Sequence, residues 1–117
     1  MFNINQPKTW FIDLDGTLVV HNGYKNGQDV LLDGVSNFFN KISKNDFIII
    51  TTARDKKYKV QTIEFLKKNK IRFNKIIFNL PTGERILIND KKPDGTITAY
   101  SINVDRNSKM NIDYLQK

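Results

Sequence analysis

A chain of 117 residues is sized for one domain spanning 1–117, with a folded surface near ~6,600 Å². It has no cysteine and one histidine, His21, which excludes disulfides, zinc fingers, thiol catalysis and two-histidine chemistry; any metal must be held by oxygen, as magnesium is. The net charge of +7 suits an anionic partner, but the chain is rich in Ile, Lys and Asn throughout, and that bias weakens a nucleic-acid reading of the charge.

Apolar, β-rich runs occur at Thr9–Leu14, Asp46–Thr51, Lys75–Phe78, Arg85–Ile88 and Thr96–Val104, and each predicts a strand. Between the first two, Val35, Phe38, Phe39 and Ile42 follow the i, i+3, i+4, i+7 spacing of an amphipathic helix, with Asp33-Gly34 before it as a start. Between the second and third, Asp55–Lys70 places Val60, Ile63 and Leu66 at helical spacing, and its lysines 56, 57, 59, 67 and 68 are expected mostly in water. Alternating strands and helices imply a parallel sheet reached by right-handed crossovers. The unbroken run Phe47–Ile50 reads as a strand covered on both faces.

Only Asn79–Glu84 separates the third run from the fourth. That segment is too short for a helix and reaches about 20 Å when extended, so one sheet face is expected to be thinly covered. From about 107 to 117 the chain reads as a loosely attached tail, which Met110, Ile112 and Leu115 could still anchor as a short helix. The start MFNINQPKTWF lacks a basic region followed by an apolar stretch, and no 18-residue apolar run exists. A cytoplasmic location and no membrane partner are therefore expected.

Three strand ends carry chemistry. In Trp10-Phe-Ile-Asp13-Leu-Asp15-Gly16-Thr17-Leu18, period two sets Asp13 and Asp15 on one side of the strand. Two carboxylates there would repel unless a cation sits between them. Read alone, the same Asp-Gly is equally a hairpin turn. In Ile50-Thr51-Thr52-Ala53-Arg54-Asp55, a hydroxyl, free N–H groups and a helix start suit phosphate, although Thr52 could simply cap the helix. In Ile88-Asn89-Asp90 a third strand-end acid could complete a cation site, while Asp94-Gly95 reads as a turn. Three strand ends of this kind in succession point to a site.

These segments resemble the motifs of the haloacid dehalogenase-like (HAD) superfamily in its phosphatase form. Asp13-Leu-Asp15-Gly-Thr-Leu is similar to the first motif, Thr52-Ala-Arg54 to the second and Asn89-Asp90 to the fourth, over roughly residues 8 to 104. Gly83–Pro93 running into Thr98–Val104 is similar to small HAD proteins associated with capsular or surface-polysaccharide synthesis. The resemblance implies a small Rossmann-like α/β core with a mostly parallel five-stranded sheet and flanking helices. Asp15 and Thr52 lie 37 positions apart, which leaves room for a short flap at 19–32 and for no cap domain. His21, in that flap, reads as an exposed loop residue that could meet substrate.

The resemblance also assigns roles. Asp13 would be the nucleophile forming an aspartyl-phosphate, and Asp15 would protonate the leaving oxygen and then activate water. Magnesium would be held by Asp13, the Asp15 backbone carbonyl and Asp90. Thr52 and the Ala53 N–H would hold phosphoryl oxygens, and Arg54 would grip phosphate or the substrate beyond it. Two departures stand out. Asn89 occupies a position where an acid is common, and the third-motif lysine has no match, so Arg85, Lys91 or Lys92 would have to supply that charge, with Arg85 favoured. The expected activity is magnesium-dependent hydrolysis of a phosphate monoester, on a phosphorylated sugar or glycan precursor. A nucleic-acid end phosphatase and a catalytically weak binding module are the alternatives.

Overall fold

The computed structural model describes residues 6–112. Strand β1 (Thr9–Asp13) leads through a loop excursion and helix α1 (Val35–Lys41) to β2 (Phe47–Thr51); helix α2 (Lys59–Lys68) then leads to β3 (Lys75–Ile77). The sheet is parallel in the order β1-β2-β3. This is a small α/β domain, as the alternating pattern predicts. The register sets Asp13 beside Thr51, and Thr51 beside Ile77, so the first two strands end level.

Each crossover moves one strand further in the same direction, and right-handed crossovers of that kind carry both helices to one face of the sheet. On that face Ile12, Ile48 and Ile50 join Val35, Phe38 and Phe39 of α1 and Leu66 of α2 in one buried cluster. The predicted α1 stripe of Val35, Phe38, Phe39 and Ile42 is buried at every position. Gly34 caps that helix with φ +83°, and a Cβ there would run into the Met110 carbonyl oxygen, so only glycine fits. Helix α2 is turned from its expected face: Val60 is 69% exposed, while Thr62 and Leu66 are its buried residues.

The opposite sheet face is bare. Phe11, Phe47 and Ile77 point there by the alternation of the strands and are exposed. The expectation that Phe47–Ile50 is covered on both sides is therefore corrected: with both crossovers on one side, no helix or strand among the described residues covers the other, where Phe47 is exposed and Ile49 half-buried. The thin face expected from the short 79–84 link is observed.

Among the described residues the sheet has three strands, not five. Arg85–Ile88 and Thr96–Val104 form no strand. They make a projecting arm that turns at 92–95, where the Lys92 N–H donates to the Thr96 carbonyl oxygen and the Gly95 N–H to that of Lys92. The Thr98 hydroxyl donates to the Asp90 carbonyl oxygen. Beyond the arm, residues 107–112 are docked rather than loose. The Asn107 N–H donates to the Gly16 carbonyl oxygen, the Met110 N–H to that of Asp33, Met110 is buried and Ile112 packs on the core. Residues 107–112 form no helix; Leu115 lies outside the described residues. No helix among the described residues is long and apolar enough to cross a membrane.

Candidate active site

The carboxyl ends of β1 and β2 bring the first two motifs together. Thr52 follows β2 directly and its hydroxyl donates to Asp15 Oδ2 at 2.8 Å, while accepting the Arg54 N–H at 3.0 Å. Neither sequence reading of Thr52 describes this: its hydroxyl ties two motifs together, and the turn into α2 is capped by Asp55, which accepts the Lys57 N–H.

Arg54 is the centre of the cluster. It is 1% exposed, and its guanidinium donates to both oxygens of Asp15, at 2.9 to 3.3 Å, and to both oxygens of Asp29, at 2.6 and 3.0 Å. Its Nη1 also donates to the Thr62 hydroxyl at 2.8 Å, and the Tyr24 ring covers it at 4.1 Å, with Tyr58 edge-on against Tyr24. Burial alone would lower the pKa of the guanidinium, but its hydrogen bonds to Asp29 and Asp15 outweigh it and push the pKa up. A buried arginine shared between two acids is a fully satisfied network. In this arrangement Arg54 has no donor left for a substrate phosphate, so its expected role as a substrate grip is corrected to a structural one: it holds Asp15.

Asp13 is treated differently. Its side chain is 43% exposed and lines a cleft of 260 Å³ with Asp15, Gly16, Thr17, Val104 and Arg106. One oxygen accepts the Thr17 hydroxyl at 3.0 Å, and the other faces Arg85 Nη2 at 3.8 Å. Burial pushes the Asp13 pKa up, while the Thr17 hydrogen bond and the Arg85 charge pull it down. Arg85 is thus a cation near Asp13, whereas Lys91 and Lys92 sit exposed at the turn of the arm. Gly16 turns the chain after Asp15 with φ +85°, and a Cβ there would press on Arg106 Cγ at 3.1 Å.

Other expected residues fall outside this cluster. Ala53 is exposed at the same strand end, and Asp90 is exposed on the arm. Among the described residues no group of three acidic or histidine side chains converges as a metal cage, so Asp90 does not complete a site with Asp13 and Asp15. The remaining donors are the Asp13 carboxylate and the Asp15 backbone carbonyl, because the Asp15 carboxylate is taken by Arg54 and Thr52. A set this small still fits magnesium, which keeps several waters and binds through one or two carboxylates together with a substrate phosphate.

Sequence reasoning missed Asp29, Thr62, Tyr24 and Arg106. The first three gave no local signal, since they matter only through Arg54, and Asp29 arrives on the excursion at 19–32. That excursion is short, as expected, closed by Val19 pairing with Leu31 and containing a 3-10 turn at Gly23–Asn26. His21 is half-buried rather than exposed; its backbone N–H donates to Asn107 Oδ1, and its Nδ1 is enclosed without a partner among the described residues. Comparison with protein-family models, with curated proteins and with solved structures finds no match to this chain.

Proposed function

We propose that the chain hydrolyses a phosphate monoester through an aspartyl-phosphate on Asp13. The observation that carries this reading is the unequal treatment of two acids two residues apart: Asp15 is locked by Arg54 and Thr52, whereas Asp13 faces an open cleft beside Arg85. A nucleophile must reach its substrate, and a proton-transfer group must be held still next to it. The resemblance of the first two motifs to HAD phosphatases supports the same assignment.

In this scheme Asp15 first takes up a proton from water on an oxygen released by Arg54; a carboxylate oxygen of Asp13 then attacks phosphorus, the P–O ester bond breaks, and the leaving oxygen departs with that proton from Asp15. Water then attacks the aspartyl-phosphate and gives a proton to Asp15, which frees phosphate and restores Asp13. To exchange protons, one oxygen of Asp15 must loosen its hold on Arg54, and the pairing with Asp29 keeps Arg54 in place while it does. Arg85 and Arg106 supply positive charge at the cleft for the phosphoryl oxygens. Bound magnesium, held by Asp13 and the Asp15 carbonyl, would screen the repulsion between anionic nucleophile and anionic phosphate.

The substrate class we propose is a phosphorylated sugar or glycan precursor, handled in the cytoplasm. A weak binding module is the second reading, and the absence of Asp90 from the acid pair favours it. Release of p-nitrophenol from its phosphate ester, with and without magnesium, separates the two. We expect metal-dependent turnover that disappears in Asp13→Asn; no turnover in the wild type, on this ester or on a panel of sugar phosphates and oligonucleotide ends, would leave the binding reading.

A further inference from the structure

We infer that two copies of this chain associate, with the arm at 86–104 of each seated on the bare sheet face of the other. The chain carries two uncovered apolar surfaces. On the arm, Ile86 is 84% and Ile88 91% exposed, with Leu87, Ile97 and Ile102 also open to solvent. On the sheet, Phe11 is 57% exposed, with Phe47 diagonal to it and half-buried Ile49 opposite it on β2, and Ile77 further across on β3, all on the face that neither helix covers. Isolated exposed apolar residues need no explanation, but contiguous apolar patches on this scale mark interaction surfaces.

The arm does not cover its own sheet. Its roots are pinned at the carboxyl end: the Leu80 N–H donates to the Thr52 carbonyl oxygen before the arm, and the Asn107 N–H to that of Gly16 after it. Between those pins it stands away from the domain. The radius of gyration is 14.9 Å, against about 13.4 Å for a compact domain of this length.

Area argues for a second copy. The chain exposes 8373 Å², well above the ~6,600 Å² of a folded monomer of its mass. The exposed apolar residues of the arm and of the sheet face contribute to that total, and a stable interface covers roughly 800 Å² on each partner. Both halves of the contact, arm and face, lie on the same chain, so a two-fold pair satisfies both at once without another protein. The arm is rooted at Arg85 and Val104, beside Asp13, so the partner would stand at the mouth of the cleft. The association itself does not depend on the phosphatase reading.

Sedimentation of the purified 117-residue chain at micromolar concentration tests it. A mass twice the 13.6 kDa of the chain is expected, falling to one chain in I86D/I88D and, separately, in Phe11→Asp. Ile86 and Ile88 already face solvent in a single chain, so far-UV circular dichroism of the arm variant should be unchanged. Hydrogen exchange on the wild type gives a readout that needs no variant: amides 86–88 should be protected when concentrated and lose protection on dilution. A wild type that sediments as one chain overturns the proposal, whether its arm amides are open or are protected independently of concentration by folding back. A pair that survives I86D/I88D overturns it as well.

Discussion

Residues 9–80 and residues 81–104 have similar β-rich, apolar runs, yet one stretch is a packed domain and the other an arm in solvent. The difference lies in what each run meets. Ile48 and Ile50 on β2 are flanked by β1 and β3 and roofed by both helices, and each is fully buried. Ile86 and Ile88 have the same alternation and the same side chains, but the short link before them delivers no helix and no neighbouring strand. Period and propensity state that a run wants cover; the connections decide whether the same chain can supply it.

That contrast places the stability in the first stretch, and graded substitutions test it. The largest effect is expected for Arg54→Met, which leaves Asp15 and Asp29 buried without their shared cation. Urea unfolding should show a loss of about 3–5 kcal/mol; an unchanged midpoint would show that the network holds nothing together. A smaller effect is expected for Asp46→Ala. Asp46 is buried before β2 and accepts the Lys8 N–H and the Trp10 Nε1–H, both at 2.9 Å, so its loss strands two donors and should cost about 1–3 kcal/mol. The smallest is expected for Ile88→Ser on the arm, measured at dilutions where chains are single: a change within about 0.5 kcal/mol. A loss as large as that of Asp46→Ala would mean the arm belongs to the folded core after all.

Much of the packed stretch was legible because its signals are local and periodic. All three of its strands and both helices stand where the apolar β-rich runs and the helical spacings place them, and Val35, Phe38, Phe39 and Ile42 are all inside. Helix α2 was less legible because Thr62, a polar residue, takes a core position to accept from Arg54, and a hydropathy period cannot register a residue buried for its hydroxyl. The same holds for the site. Asp13, Asp15, Thr52 and Arg54 were visible as two strand ends, and β1–β2 pairing brings them together. Asp29 was not, since its role exists only once the excursion folds back over Arg54. The role of Arg54 was misread for a related reason: an arginine after a strand suggests an anion, but two carboxylates of its own chain already fill its donors. Asp90 was read as a third strand end, and with no strand formed at 85–88 it has no place beside the acid pair.

The proposed role of Asp13 can be read directly from the protein during turnover. Wild-type protein mixed with p-nitrophenyl phosphate and magnesium, then quenched with borohydride, should yield a peptide with homoserine at position 13, the reduction product of an aspartyl-phosphate. Turnover that proceeds with Asp13 unmodified, or that survives in Asp13→Asn, would contradict the account.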